Sequence, residues 1–81
     1  MTSDLILPFN HIIKADFRHG QHRVVMVYII DPGYSTYSTY RVDSLGGCYW
    51  GHYYTDDLMS AFVDFEGRVK SIIRTMEEND Q

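Results

Sequence analysis

Two hydrophobic periods divide this chain. From Phe9 to Phe17, "FNHIIKADF" alternates, placing Phe9, His11, Ile13, Ala15 and Phe17 on one strand face and Asn10, Lys14 and Asp16 on the other. "RHGQH" reads as a turn about Gly20, and "RVVMVYII" after it is apolar on both faces, as in a strand covered from both sides. In "DPGY", Pro32 presets φ and Gly33 supplies the positive φ of a type II turn. That twist suits a two-residue hairpin poorly, so a loop of about three to five residues is expected. "YSTYSTYRV" is the third strand, with Tyr34 and Tyr40 on one side and Tyr37 on the other. "SLGG" turns the chain, and "CYWGHYY" makes a fourth strand in which Gly51 marks a bulge or a close approach.

The period then changes. Leu58, Phe62, Phe65, Val69, Ile72 and Met76 follow at helical spacings, widened by Met59 and Ile73. Thr55 is the expected N-cap, with Asp56 and Asp57 at the positive end of the helix dipole. Gly67 admits a kink in one helix or a break into two, and "EENDQ" reads as a frayed acidic end. Four strands joined by short turns and one C-terminal helix predict an α+β fold: a four-stranded antiparallel meander with the helix packed on one face.

At 81 residues the chain is one domain, whose core holds the fold by roughly 3–5 kcal/mol. Seven basic residues against eleven acidic give a formal net charge of −4, which disfavours sequence-independent phosphate binding. The excess is C-terminal: residues 1–54 are balanced, whereas residues 55–81 carry seven acids and three bases. A single Cys48 cannot form an internal disulfide, so a reducing, cytoplasmic setting is the expectation. "MTSDLILPFN" has no basic n-region and its apolar run stops at Pro8, so neither a secretory signal nor a membrane span is expected there.

His19, His22, Cys48 and His52 have ligand-type side chains, but Cys48 and His52 stand about 13 Å apart along an extended strand. Ligands on one tetrahedral zinc lie within about 4 Å of each other, so no metal and no cofactor are expected. Cys48 with His52 or His11 is the only set resembling a nucleophile and base, and no phosphate loop or nucleophile elbow accompanies it. The chain therefore reads as non-enzymatic.

The aromatic residues carry the stronger signal. Tyr28, Tyr34, Tyr37, Tyr40, Tyr49, Trp50, Tyr53 and Tyr54 fall within one stretch of strand sequence, where cross-strand packing alone would favour them. One helix covers one face of a sheet, however, and the second strand is apolar on both. The uncovered face would be a patch larger than monomers usually expose. Tyr34, Tyr37, Tyr40, Trp50 and Tyr53 are thus the expected anchors for a partner, and the acidic helix residues Asp56, Asp57, Asp64 and Glu66 are expected to steer a basic protein surface toward them. Alternatives are a single-stranded nucleic-acid binder that stacks bases on the same aromatics, and a homodimeric structural subunit.

The order of elements, a compact meander followed by "YTDDLMSAF" opening a helical tail that ends "RTMEEND", resembles small phage-encoded inhibitors of bacterial defence, the anti-CRISPR proteins. The resemblance implies an acidic, non-enzymatic protein that binds a nucleic-acid-handling defence complex in the bacterial cytoplasm.

Overall fold

The computed structural model describes residues 7–43 and 45–79. Four strands, β1 (His11–His19), β2 (His22–Asp31), β3 (Tyr34–Val42) and β4 (Cys48–Thr55), precede one helix, α1 (Leu58–Asn79). The sheet order is β1-β2-β3-β4 with every neighbouring pair antiparallel, so the anticipated open meander with one C-terminal helix is the observed architecture. The helix lies over β2, β3 and β4. Residues 1–6, most of the stretch in which neither a secretory signal nor a membrane span is expected, and Asp80 and Gln81 at the acidic end lie outside the described residues. No helix among the described residues is long and apolar enough to cross a membrane.

The β2–β3 connection is tighter than expected. Asp31 pairs with Tyr34, leaving a loop of Pro32 and Gly33 alone. Gly33 has φ +92°, the value the second central residue of a type II turn needs. Eight consecutive cross-strand pairs between β2 and β3 hold the register, which explains how a turn of unfavourable twist is tolerated. At the third turn, the Asp43 carboxylate accepts the backbone N–H groups of Leu45 (2.9 Å) and Gly47 (2.8 Å), replacing bonds the chain cannot make to a neighbouring strand.

Both edge strands carry a bulge. In β1, Ile13 pairs with Val27 and Ala15 with Met26, so Lys14 is the extra residue. The single face expected for His11 through Phe17 is therefore broken: His11 and Ile13 share a face with Val27 and Ile29, whereas Ala15 and Phe17 share the helix-side face with Met26 and Val24. In β4, His52 pairs with Thr39 and Tyr49 with Arg41, so Trp50 and Gly51 together oppose Tyr40. Trp50 takes the left-handed conformation, φ +56°.

Strand β2 is buried on both faces, as its apolar run predicts. Val24 and Met26 lie on the helix side. On the other side Val25, Val27, Ile29, Tyr40 and Val42 form one cluster, against which Leu7 and Cys48 pack. The centre of the second face is thus not an open apolar surface. An ideal Cβ on Gly51 would stand 2.6 Å from Cε1 of the buried Tyr40 ring, so glycine is required there by close approach.

The helix runs unbroken through Gly67 and on to Asn79, so neither the break nor fraying at residues 77–79 is found. Its cap is Asp57, whose Oδ1 accepts the Ser60 N–H at 3.0 Å, the Ncap-to-N3 bond. Thr55 instead ends β4. Asp56, at φ +54°, bridges back to β3: its N–H donates to Ser35 O (2.6 Å) and its Oδ1 accepts the Ser35 N–H (2.8 Å).

Two glycine substitutions check this packing by thermal or urea unfolding. Gly67 is exposed with nothing within 4 Å of an added Cβ, so Gly67→Ala should stabilise the protein by about 0.5–1 kcal/mol. Gly51→Ala should destabilise it by about 1–3 kcal/mol, because the Tyr40 ring must leave its place.

Candidate functional site

The helix-side face divides into two flanks on either side of α1, and one carboxylate stands between them. Position 64 belongs to the inner face of α1, one turn from Ala61, which is fully buried, and from Arg68. Asp64 Oδ2 accepts hydrogen bonds from Thr39 Oγ1 (2.7 Å) on β3, and from His52 Nδ1 (2.8 Å) and Tyr54 OH (2.9 Å) on β4. Its Oδ1 accepts Arg68 Nε at 3.1 Å. Burial pushes the Asp64 carboxyl up, but the bonds from Thr39, His52, Tyr54 and Arg68 outweigh it and bring it down to about 2. Burial and the bond to this carboxylate push the Tyr54 phenol up.

His52 Nδ1 also lies 3.0 Å from Arg68 Nη2. A bare ring nitrogen 2.8 Å from a carboxylate would set lone pair against lone pair, so the proton is assigned to Nδ1, which donates to Asp64. Arg68 Nη2 is then satisfied by Trp50 O at 2.6 Å. The His52–Asp64 pair has the form of a base and its orienting group, but no hydroxyl or thiol meets the other ring nitrogen among the described residues. Burial pushes the Cys48 thiol up, away from the reactive thiolate, and Cys48 packs on the opposite face. His22 Nδ1 instead lies 3.5 Å from Arg41 Nη2. No three metal-competent side chains converge among the described residues.

The flank toward β1 is an apolar groove of about 450 Å³ between Lys14, Met26, Tyr37, Leu58, Met59 and Phe62. Its floor is ordered by aromatic contact: the Tyr28 and Tyr37 rings lie 5.3 Å apart, and Lys14 Nζ sits 5.9 Å from the Tyr28 centroid. At its edge Met59 is 70% exposed, and beside it Val63, 60% exposed, lines the adjoining hollow rather than the groove. Around the helix, His52, Tyr54, Met59, Ser60, Val63 and Asp64 line a shallower hollow. The flank toward β4 is a pocket of about 290 Å³ lined by Arg41, Trp50, His52, Asp64, Arg68 and Ser71.

The sequence-derived anchors are not brought onto one surface. Trp50 (69% exposed) and the half-buried Tyr37 are on the helix side, Tyr53 (62% exposed) is on the other, and Tyr34 is exposed at the β2–β3 turn. Tyr40 is buried at 8% exposure, with its hydroxyl donating to Tyr53 OH at 3.2 Å, and burial pushes its phenol up to about 12. Of the four acids, Asp64 is the latch just described and Glu66 lies 3.5 Å from Lys70, while Asp56 and Asp57 remain as acids at the exposed helix start. The groove residues Leu58, Met59 and Phe62 belong to the apolar stripe that the helical period marks, and their exposure is what the sequence does not predict. The signal that could have relocated them is the pair Asp64 and Arg68, which lies on the inner face and turns the apolar stripe partly outward.

No protein family matches the chain, and neither a curated protein nor a solved structure shows a significant match.

The latch fixes a pH dependence. A carboxyl whose folded value lies below its unfolded value of 3.8 adds stability above that value, and the contribution is lost as pH falls through about 2. Wild-type stability should therefore fall between about pH 4 and pH 2. Asp64→Asn should cost about 1–3 kcal/mol at pH 7, by leaving donors unpaired, and should flatten the pH dependence across that window. Urea unfolding of both proteins at pH 7, 4, 3 and 2 measures this.

Proposed function

We propose that this chain is a small protein-binding module without chemistry of its own, and that it meets its partner through the apolar flank of α1. The observation that carries this reading is the exposure of Leu58, Met59 and Phe62 around a groove with an ordered aromatic floor, with the exposed Val63 next to Met59 in the adjoining hollow. Apolar side chains of this kind, grouped and half or more exposed, are characteristic of contact surfaces. Asp56 and Asp57 flank the patch at the helix start, where the partial positive charge of the helix end does not cancel two carboxylates. A partner with an apolar anchor and basic flanking residues fits this surface.

The finer reading, an inhibitor of a bacterial defence complex, draws its support from the order of elements alone. Trp50 and Tyr34 extend the exposed aromatic area beyond the groove. Against nucleic acid as the partner, Arg18 and Arg23 are both bound to Asp16, at 3.1 and 2.8 Å, and the hydrogen bond from Arg23 chiefly holds that carboxyl below its usual value. Those cations are spent within the fold.

The test is a tagged pull-down with and without nuclease, using the wild-type chain and a Met59→Glu, Val63→Glu double variant. Both side chains are largely exposed, so circular dichroism and melting should be unchanged. A specific protein should be recovered after nuclease treatment and weakened at least about 30-fold by the double variant, the loss of a central anchor. Equal recovery by the variant would sink the groove assignment. Recovery of nuclease-sensitive material only, or a light-scattering mass near twice 9.5 kDa with no other protein, would point to nucleic acid or to a homodimer instead.

A further inference from the structure

We propose that the pocket on the other flank, between the β4 bulge and the second half of α1, binds a nucleoside monophosphate, with the phosphate between Arg41 and Arg68 and the base against Trp50. The inference does not rest on the proposed protein-binding surface, and the pocket shares no lining residue with the apolar groove.

The charge in this pocket runs against that of the chain. Two guanidinium groups and one carboxylate line it on a protein of net charge −4. The carboxylate, Asp64, is already engaged by four donors, three on Oδ2 and Arg68 on Oδ1, so its charge is offset within the fold. Arg41 has no carboxylate partner among the described residues. Its one polar contact is His22 Nδ1 at 3.5 Å, and its Nε is buried without a hydrogen-bond partner. A buried, unpaired guanidinium N–H costs stability, and such groups in native proteins call for an explanation. Arg41 also lines the pocket, and Arg presents a planar fork matched to phosphate oxygens. Ser71, one turn beyond Arg68 on α1, adds a hydroxyl at the same wall.

The rim argues for a ligand with a ring. The β4 bulge adds Trp50 to the helix side of the sheet in a left-handed conformation that a bulky residue adopts only at a cost. Its carbonyl is held by Arg68 at 2.6 Å, and its ring packs edge-on against Tyr49 with centroids 5.0 Å apart. At 69% exposure the indole still has a surface on which a base can stack. A volume of about 290 Å³ exceeds what a bare phosphate fills and lies at the small end of ligand pockets. A polynucleotide fits less well. Arg18 and Arg23 lie on the other face of the sheet, bound to Asp16, so a strand leaving the pocket meets no further cationic step there.

Trp50 is the only tryptophan, so its fluorescence reports on this site directly. The full chain would be titrated with adenosine and uridine 5′-monophosphates, adenosine, inorganic phosphate and a short single-stranded oligonucleotide. Saturable quenching by at least one monophosphate is expected, with adenosine and phosphate each at least about tenfold weaker, as loss of one charge-assisted or stacking contact implies. Arg41→Gln should weaken the monophosphate by at least about tenfold without lowering the melting temperature, since the one polar contact of Arg41 among the described residues is His22. Calorimetry on Trp50→Ala should show a comparable loss. The proposal is overturned by no saturable signal at millimolar monophosphate, by phosphate binding as tightly as the nucleotides, by full affinity in Arg41→Gln, or by tighter binding of the oligonucleotide.

Discussion

The placement of α1 depends on Asp64. The helix brings only two fully buried apolar side chains to the sheet, Ala61 and Ile72, while Leu58 and Phe62, the first positions of its apolar stripe, remain about half exposed. Apolar burial of that extent would tolerate several rotations of the helix. A carboxylate receiving donors from β3, from β4 and from its own helix does not, because hydrogen bonds weaken steeply with distance and angle. Successive residues differ by about 100° around a helix, so turning Met59 or Val63 inward would carry Asp64 out of reach of Thr39 and Tyr54. The exposed apolar flank is therefore a consequence of the polar latch.

The same latch explains an otherwise unfavourable bulge. Holding Trp50 at φ +56° costs of order 1–2 kcal/mol, and the bulge carbonyl so presented is the acceptor for Arg68, the residue that also bonds Asp64. Helix, edge strand and carboxylate thus form one connected polar network. At the opposite edge, Lys14 is the extra residue of the β1 bulge. Bulged edges are poor templates for strand addition.

Sequence patterning reached the element order because each signal had one physical cause: two-fold alternation in β1, a two-sided apolar run in β2, and a sustained 3-4 spacing in α1. It failed where a single residue changes phase. The Lys14 bulge moves Ala15 and Phe17 to the other face, and nothing in the composition of "HIIKADF" distinguishes that from regular alternation. The tyrosines defeated sorting for a different reason, since strand packing and partner contact favour the same residue types; Tyr40 is core and Tyr53, hydrogen-bonded to it, is surface. Asp64 is expected from the sequence among the helix acids that steer a partner, but it is drawn into the fold instead. Its i,i+4 arginine and its place between Ala61 and Phe65 were the signs that it faces inward.

The two flanks of α1 are separated by the helix itself. The groove and the arginine pocket share no lining residue and open on different sides of it. Any coupling between them has to pass through the residues both sides share, and the pocket and the hollow beside Met59 share His52 and Asp64. Coupling needs an element with two discrete arrangements. Arg68 is the side chain that joins the pocket to the latch, bonding Asp64 through Nε at 3.1 Å while lining the pocket. An anion that draws Arg68 toward the pocket competes with Asp64 for the same guanidinium. The carboxylate would then depend on Thr39, His52 and Tyr54, and the grip of α1 on the sheet would shift from its own arginine to the strands.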